Sequence, residues 1–263
     1  MNKNFLYGKP PYEIISSSKH KVSFLFLEYG AVIREGNALV FRQNGIDYDL
    51  PVATLSAILL GIGTSITQPA MLEISRWGCA VSFVSPGMTG LHSSYLGTSA
   101  SHSRFLYKQA QIVSSPKIRL EYARKMYAQR WGEDKVPKSY SLQKLMLLEG
   151  RRVKALYAEQ AKKFDIQFTR KQQVDFSSDD VVNQNLTMMN HLLYGVINAV
   201  VVSIGLSPGL GVIHHGNASA FIFDVADLYK EEYIIPLSFQ FAAEGASQEE
   251  VRSTFRYLMR KTV

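Results

Sequence analysis

At 263 residues, with 46% hydrophobic and 19% charged residues, the chain can bury a sizeable core and is excluded from the globally disordered class. Its one cysteine, Cys79, excludes an intrachain disulfide and any cysteine-cluster metal site, and sets cytoplasmic residence as the expectation. A net charge of +7 and a pI near 9.3 leave a polyanionic partner open.

The opening stretch MNKNFLYGKPPYEII lacks the apolar core of a secretory signal. From residue 22 to 84 the chain reads as β structure: KVSFLFLEYG, AVIREG, NALVFRQ and IDYDLPV are short segments rich in β-branched and aromatic residues. Turn signals separate them at Glu35-Gly36-Asn37 and Asn44-Gly45. TQPAMLEISRWG predicts one short helix, with Pro69 in its first turn and Gly78 past its end, and GCAVSFVSPG predicts a further strand. After Gly97 the pattern turns helical through SRFLYKQAQIV, IRLEYARKMYAQRW, the long segment from Ser141, and VVNQNLTMMNHLLYGVINAVVVSI. Pro116, Pro137 and the run SPGLG break these helices. The reading is α+β: a small N-terminal β-sandwich-like domain (1–90), a Ser/Gly/Thr-rich linker (91–102) and a larger all-α domain (103–263). HLLYGVINAVVVSIGL is too short to span a bilayer and carries His191 and Asn198, so it reads as a buried helix and no membrane is expected.

Charge is unevenly spread. Residues 117–171 hold fifteen basic and six acidic groups, a net +9 in about a fifth of the chain, whereas residues 172–263 hold five basic and ten acidic ones. Such a block suits a channel of roughly six to ten phosphate contacts with strongly salt-dependent affinity; the plain alternative is a solvated helix face.

The chemistry concentrates near the end of the chain. In HHGNASAFIFDVADLYK, a helix over AFIFDVADLY puts Asp224 and Asp227 one turn apart in apolar surroundings. Two buried like charges demand a compensating cation or paired donors. Glu149, in LLEGRRV on the long helix, either turns inward behind Leu147 and Leu148 or pairs at the surface with Arg152. Glu149, His214, Asp224 and Asp227 together make an oxygen-rich set with one imidazole, which suits Mg²⁺ or Mn²⁺ better than structural zinc. Joint ligation of iron by His214 and His215 is awkward, because adjacent residues of an extended loop point apart. SPGLGVIHHG follows a helix and lacks the Lys-Ser/Thr of a phosphate loop, so it reads as a helix stop and turn. Cys79 reads as packing in a core strand.

LLEGRRV, VVNQNL, LLYGV and GVIHHGNASAFIFDVADLYK, in this order, resemble the CRISPR-associated integrase that inserts new spacers. FLFLEYG and LPVATLSAILLGIGTSIT resemble the branch that accompanies type I-E effectors. The resemblance implies a metal-dependent endonuclease/integrase: a 3′-hydroxyl of incoming DNA attacks a phosphodiester of the CRISPR repeat. It implies double-stranded DNA (prespacer and repeat), a homodimer and a second small CRISPR-associated adaptation protein as partners. By position, Glu149, His214 and Asp224 are the implied metal triad and Asp227 completes the acidic cluster. His214, two residues before Gly216 and ten before Asp224, matches the family's histidine; His215 does not. Tyr29 matches an aromatic that stacks on a terminal base pair, and Arg151, Arg152 and Lys154 are the expected backbone contacts. Two departures stand out: VSPGMTGLHSS lacks an arginine, and a further C-terminal stretch is expected after RKTV.

Overall fold

A computed structural model describes residues 22–84, 91–95, 103–171, 174 and 176–262. The opening stretch, residues 85–90 and residues 96–102 of the expected linker lie outside them. The chain divides into two compact units, residues 1–106 with 198–206, and residues 107–197 with 207–263.

The first unit carries two four-stranded sheets. One has the order β1 (Val22–Leu27), β5 (Leu55–Leu60), β7 (Ala80–Val84), β8 (Leu91–Tyr95); the other runs β4 (Ile46–Asp49), β3 (Ala38–Gln43), β2 (Gly30–Glu35), β6 (Thr64–Ile66). Strand β5 lies between parallel neighbours β1 and β7. Its LSAILL sequence, apolar at nearly every position, is what a strand covered on both faces requires. The β3–β4 hairpin turns on Asn44 and Gly45, both with positive φ, as a two-residue turn of the right hand needs. Helix α1 (Gln68–Arg76) starts on Thr67, whose side chain accepts from the Ala70 N–H at 3.4 Å. Val32, Phe41, Ile58, Leu60, Ile74 and Val81 share one core drawn from both sheets and α1. The structure corrects the linker: its first five residues, LHSSY, form β8, antiparallel to β7.

The second unit holds α3 (Pro116–Trp131), α4 (Leu142–Lys163), α6 (Ala220–Tyr229), α7 (Ile235–Ala243) and α8 (Gln248–Thr262), with most of α2 (Arg104–Ser114) and of α5 (Val181–Ser203). On α3, Ala123, Tyr127 and Trp131 recur every four residues and form one buried stripe, packed with Leu145, Val212 and Ile213. Residues 181–202 of α5 are apolar and long enough to cross a membrane by composition, but 72% of the most apolar window is buried inside the protein, as expected of a core helix. Gly150 sits mid-helix in α4, exposed, with nothing within 4 Å of where a Cβ would lie. Gly150→Ala is therefore expected to raise stability in denaturant titrations by up to about 1 kcal/mol, the usual helix cost of glycine. A loss of stability would reveal a packing role absent from this structure.

Candidate active site

Four predicted residues gather in the second unit. Glu149 stands one turn beyond Leu145 on α4 and beside Leu148, both in the helical core, while Leu147 is exposed. The carboxylate thus turns inward, and its partner is not Arg152. Tyr127 Oη donates to Glu149 Oε2 at 2.9 Å, and Arg130 Nη1 donates to Oε1. The Arg130 Nη2 reaches Glu231, which also accepts from Trp131 Nε1 at 3.2 Å.

His214 lies on a strap between α5 and α6. The strap passes so close to α6 that a Cβ on Gly211 would meet Ala220 Cβ at 2.8 Å, so glycine is required there. Gln109 of α2 anchors the strap's start, donating to the carbonyls of Ser207 (2.9 Å) and Leu210 (3.0 Å). Arg119 of α3 holds its carbonyl side through Val212 O (2.6 Å) and Ile213 O (3.0 Å). Asp224 holds its amide side: Oδ2 accepts from the N–H groups of Val212 and Ile213 (3.0 Å for the latter), and Oδ1 from the His214 N–H at 2.8 Å. Oδ1 also meets His214 Nδ1 at 2.8 Å.

Four donors therefore fill the approximately four lone-pair directions of the Asp224 carboxylate. This revises the expectation that Asp224 ligates a metal. A carboxylate saturated by the protein orients the imidazole, in the manner of the carboxylate partners that support metal-bound histidines, and directs Nε2 away from itself. Phe223 flanks the same ring edge-on at 6.1 Å. His215 looks elsewhere, its Nδ1 3.4 Å from Arg119 Nη2.

Asp227, also buried, pairs with Lys230 Nζ at 2.7 Å. Burial opposes the charge on Lys230, yet Asp227 and Tyr194 hold its pKa above the ordinary lysine value. The hydrogen bond to Asp224 raises the pKa of His214 against the effect of burial, and Asp227, Asp224 and Glu149 add to the rise. All three carboxylates thus act on one imidazole. With a value above that of the unfolded chain, protonated His214 stabilises the metal-free fold below the unfolded pKa, and this contribution is lost as pH rises through the folded one.

The donor chemistry, carboxylate oxygens with one imidazole nitrogen, fits a hard divalent ion. Among the described residues, however, no three His, Cys, Asp or Glu side chains form a group that could hold one, and Arg130 and Lys230 pair with Glu149 and Asp227. Sequence reasoning missed these two cations, and Tyr127, Arg119 and Glu231 with them. Only Lys230 carried a local signal, one helical turn beyond Asp227.

Arg119→Ala strips a cationic donor from two carbonyls of the strap. It should cost about 1–3 kcal/mol of stability and, by loosening His214, about 10–100-fold in activity. Unfolding and turnover measured side by side check this, with Arg119→Lys restoring part of both.

Of the expected DNA contacts, Arg151 and Lys154 are exposed on α4. Arg152 is half-buried over the Trp131 ring at 4.9 Å, so it packs on the helical core and is withdrawn from the group of free surface cations. Tyr29, in the first unit, is 63% exposed in the β1–β2 turn, with a φ of 55°. Its N–H donates to Ile62 O at 2.9 Å, and its ring would stand 2.8 Å from a Cβ on Gly63. A bulky residue held at positive φ is uncommon, and its exposure leaves the ring open to a partner. Tyr29→Ala should change stability by no more than about 0.5 kcal/mol and weaken binding of frayed DNA ends by about 1–3 kcal/mol in anisotropy titrations. Lost stability with unchanged affinity would assign the ring to packing instead.

The family model for "CRISPR associated protein Cas1" matches residues 25–133 and 127–254. The chain belongs to the Cas1 family. CRISPR-associated endonuclease Cas1 2 of Thermus thermophilus is 34% identical over 245 residues, 92% of this chain and 74% of that protein. CRISPR-associated endonuclease Cas1 of Escherichia coli K12 is 30% identical over 249 residues, 93% of this chain and 81% of its own. The crystal structure of a TtCas1–DNA complex superposes with a TM-score of 0.70 at 32% identity, over 93% of this chain and 91% of that one. A Cas1 protein of Thermotoga maritima, 16% identical, shares the fold with a TM-score of 0.69 over 90% and 88% of the two chains. A strand-rich N-terminal region followed by a helical one is thus the family architecture, as the sequence led one to expect.

Proposed function

We propose that the chain is a metal-dependent DNA strand-transfer enzyme of CRISPR adaptation, with Glu149, His214 Nε2 and Asp227 as the set that would hold Mg²⁺ or Mn²⁺. The observation that carries this reading is the pairing of buried Asp224 with His214, 2.8 Å apart, with Asp227 buried one turn further along the same helix. The ion, when bound, polarises a DNA phosphate as a Lewis acid and offsets the carboxylate repulsion. Asp224 and Arg119 hold the strap so that the ring of His214 keeps one orientation. Tyr127 fixes one oxygen of Glu149. The exposed cations Arg151 and Lys154 follow Glu149 on the open face of α4 and hold the DNA backbone by phosphate contacts, which orient without reading sequence. The incoming 3′-oxygen loses its proton and bonds to the repeat phosphorus as the repeat's own 3′-oxygen departs and is protonated. No nucleotide is hydrolysed. Family membership carries the further expectation of a homodimer joined by a second small adaptation protein.

The relatives' names, CRISPR-associated endonuclease, favour a second reading in which water replaces the 3′-hydroxyl at the same site. One assay separates the two: the chain is incubated with a labelled duplex, a repeat-bearing plasmid and Mn²⁺, with and without the small partner. Label joined covalently to plasmid supports strand transfer. Nicks without joined label support hydrolysis. Unchanged products in EDTA or in Glu149→Gln would overturn both.

A further inference from the structure

We propose that Arg130 is the resident counter-cation of the acidic site, and that Glu231 is the acceptor that retains it when a divalent ion takes Glu149. The proposal rests on the reading of Glu149 as a metal-binding group. The Arg130 side chain, 4% exposed near the end of α3, forks between two carboxylates: Nη1 to Glu149 and Nη2 to Glu231. Burial disfavours its charge, but Glu149, Glu231 and Asp227 together raise its pKa. Its plane lies among aromatic rings, 5.6 Å from Tyr127 and 5.4 Å from Trp131. Each ring also donates to one of the two acids, Tyr127 to Glu149 and Trp131 to Glu231. The guanidinium is thus housed in a slot whose two ends are equivalent in chemistry.

That duplication is the telling feature. A buried arginine with a single carboxylate partner cannot release it without becoming an uncompensated charge. With Glu231 in place, Arg130 gives up Glu149 and stays paired. Glu231 lies in the π-helical turn Lys230–Ile234, directly after α6. The end of α6 and this turn together therefore carry Asp227, its cation Lys230 and the alternative acceptor. Single π turns of this kind often mark functional positions in helices. Glu149 is consequently shared between two claimants, a fixed +1 charge of the protein and a +2 ion from solution. While the site holds no ion, Arg130 keeps Glu149 and Asp227 from repelling each other. When an ion arrives, it must displace Arg130 from Glu149, and Glu231 sets how readily that happens.

The roles predict opposite signs. In the full-length chain without DNA, free Mn²⁺ is followed by its electron paramagnetic resonance signal, and melting is recorded with and without Mn²⁺. Arg130→Gln removes the competitor, so Mn²⁺ should bind about tenfold more tightly, with a larger melting shift on addition. Glu231→Gln leaves Arg130 with only Glu149, so Mn²⁺ should bind about tenfold more weakly. Glu149→Gln reports on the underlying reading: it should abolish the site. If Glu149→Gln leaves Mn²⁺ binding intact, the metal assignment fails and the competition fails with it. If Glu149→Gln abolishes binding while Arg130→Gln, folded by circular dichroism, binds Mn²⁺ no more tightly than wild type, the proposal is overturned and the metal assignment survives. Should Arg130→Gln not fold, Glu231→Gln decides, and unchanged affinity there overturns the proposal.

Discussion

On the proposed reading, His214→Ala is expected to abolish metal-dependent strand transfer, whereas His215→Ala should retain activity to within about tenfold. The two residues are neighbours in sequence and differ in what faces them. His214 is clamped through both its N–H and its Nδ1 by Asp224, and lies within the influence of Glu149 and Asp227. His215 Nδ1 stands 3.4 Å from Arg119 Nη2, and that arginine already holds two strap carbonyls without it, one of them through the same nitrogen. Losing a supporting contact of that kind costs less than losing a ligand, for which partners behind a ligand give about 10–100-fold. DNA binding without metal should persist in both variants, because the expected phosphate contacts lie on the basic helices and not on the strap. One integration assay across a Mn²⁺ titration suffices. A dead His215→Ala beside a fully active His214→Ala would mean that the strap is read one residue out of register.

Charge reversal on the open face of α4, in the double variant Arg151→Glu and Lys154→Glu, should weaken metal-free DNA binding strongly and nearly equally for unrelated sequences. Each lost phosphate contact lowers the slope of log K against log salt by about 1, so the double variant should flatten it by about 2. Arg152 is left in place because its guanidinium packs on Trp131 beside the Arg130 slot, and reversing it would perturb Glu149 as well as the DNA. Affinity, not turnover, is the readout, since both substituted positions lie within five residues of Glu149. An unchanged salt slope would make the net +9 segment a solvated face and no more.

Much of the architecture was legible in local pattern. The helix AFIFDVADLY appears as α6 with the predicted bounds, because a run of apolar residues at helical spacing has few other ways to be buried. Asn44-Gly45 announced its hairpin, since few residue pairs tolerate two consecutive positive φ values. The start of β8 was not legible: LHSSY resembles linker in composition, and only pairing with β7 makes it a strand.

Sequence by itself determined that two aspartates stand a turn apart on one apolar helix, because helical spacing is a local property. Glu149 and His214 were joined to them by the resemblance to the family, which spacing alone does not supply. Only the tertiary structure decided how the charges are divided. Asp224 is given to the amides of the strap, which no residue pattern displays, since its partners there are backbone N–H groups. Glu149 is given to Arg130, 19 residues away, and Arg130 in turn to Glu231, 101 residues away. A buried charge takes whatever partner the packing of α3, α4 and α6 brings within hydrogen-bond reach, and that choice is set by three-dimensional distance, which sequence separation does not encode.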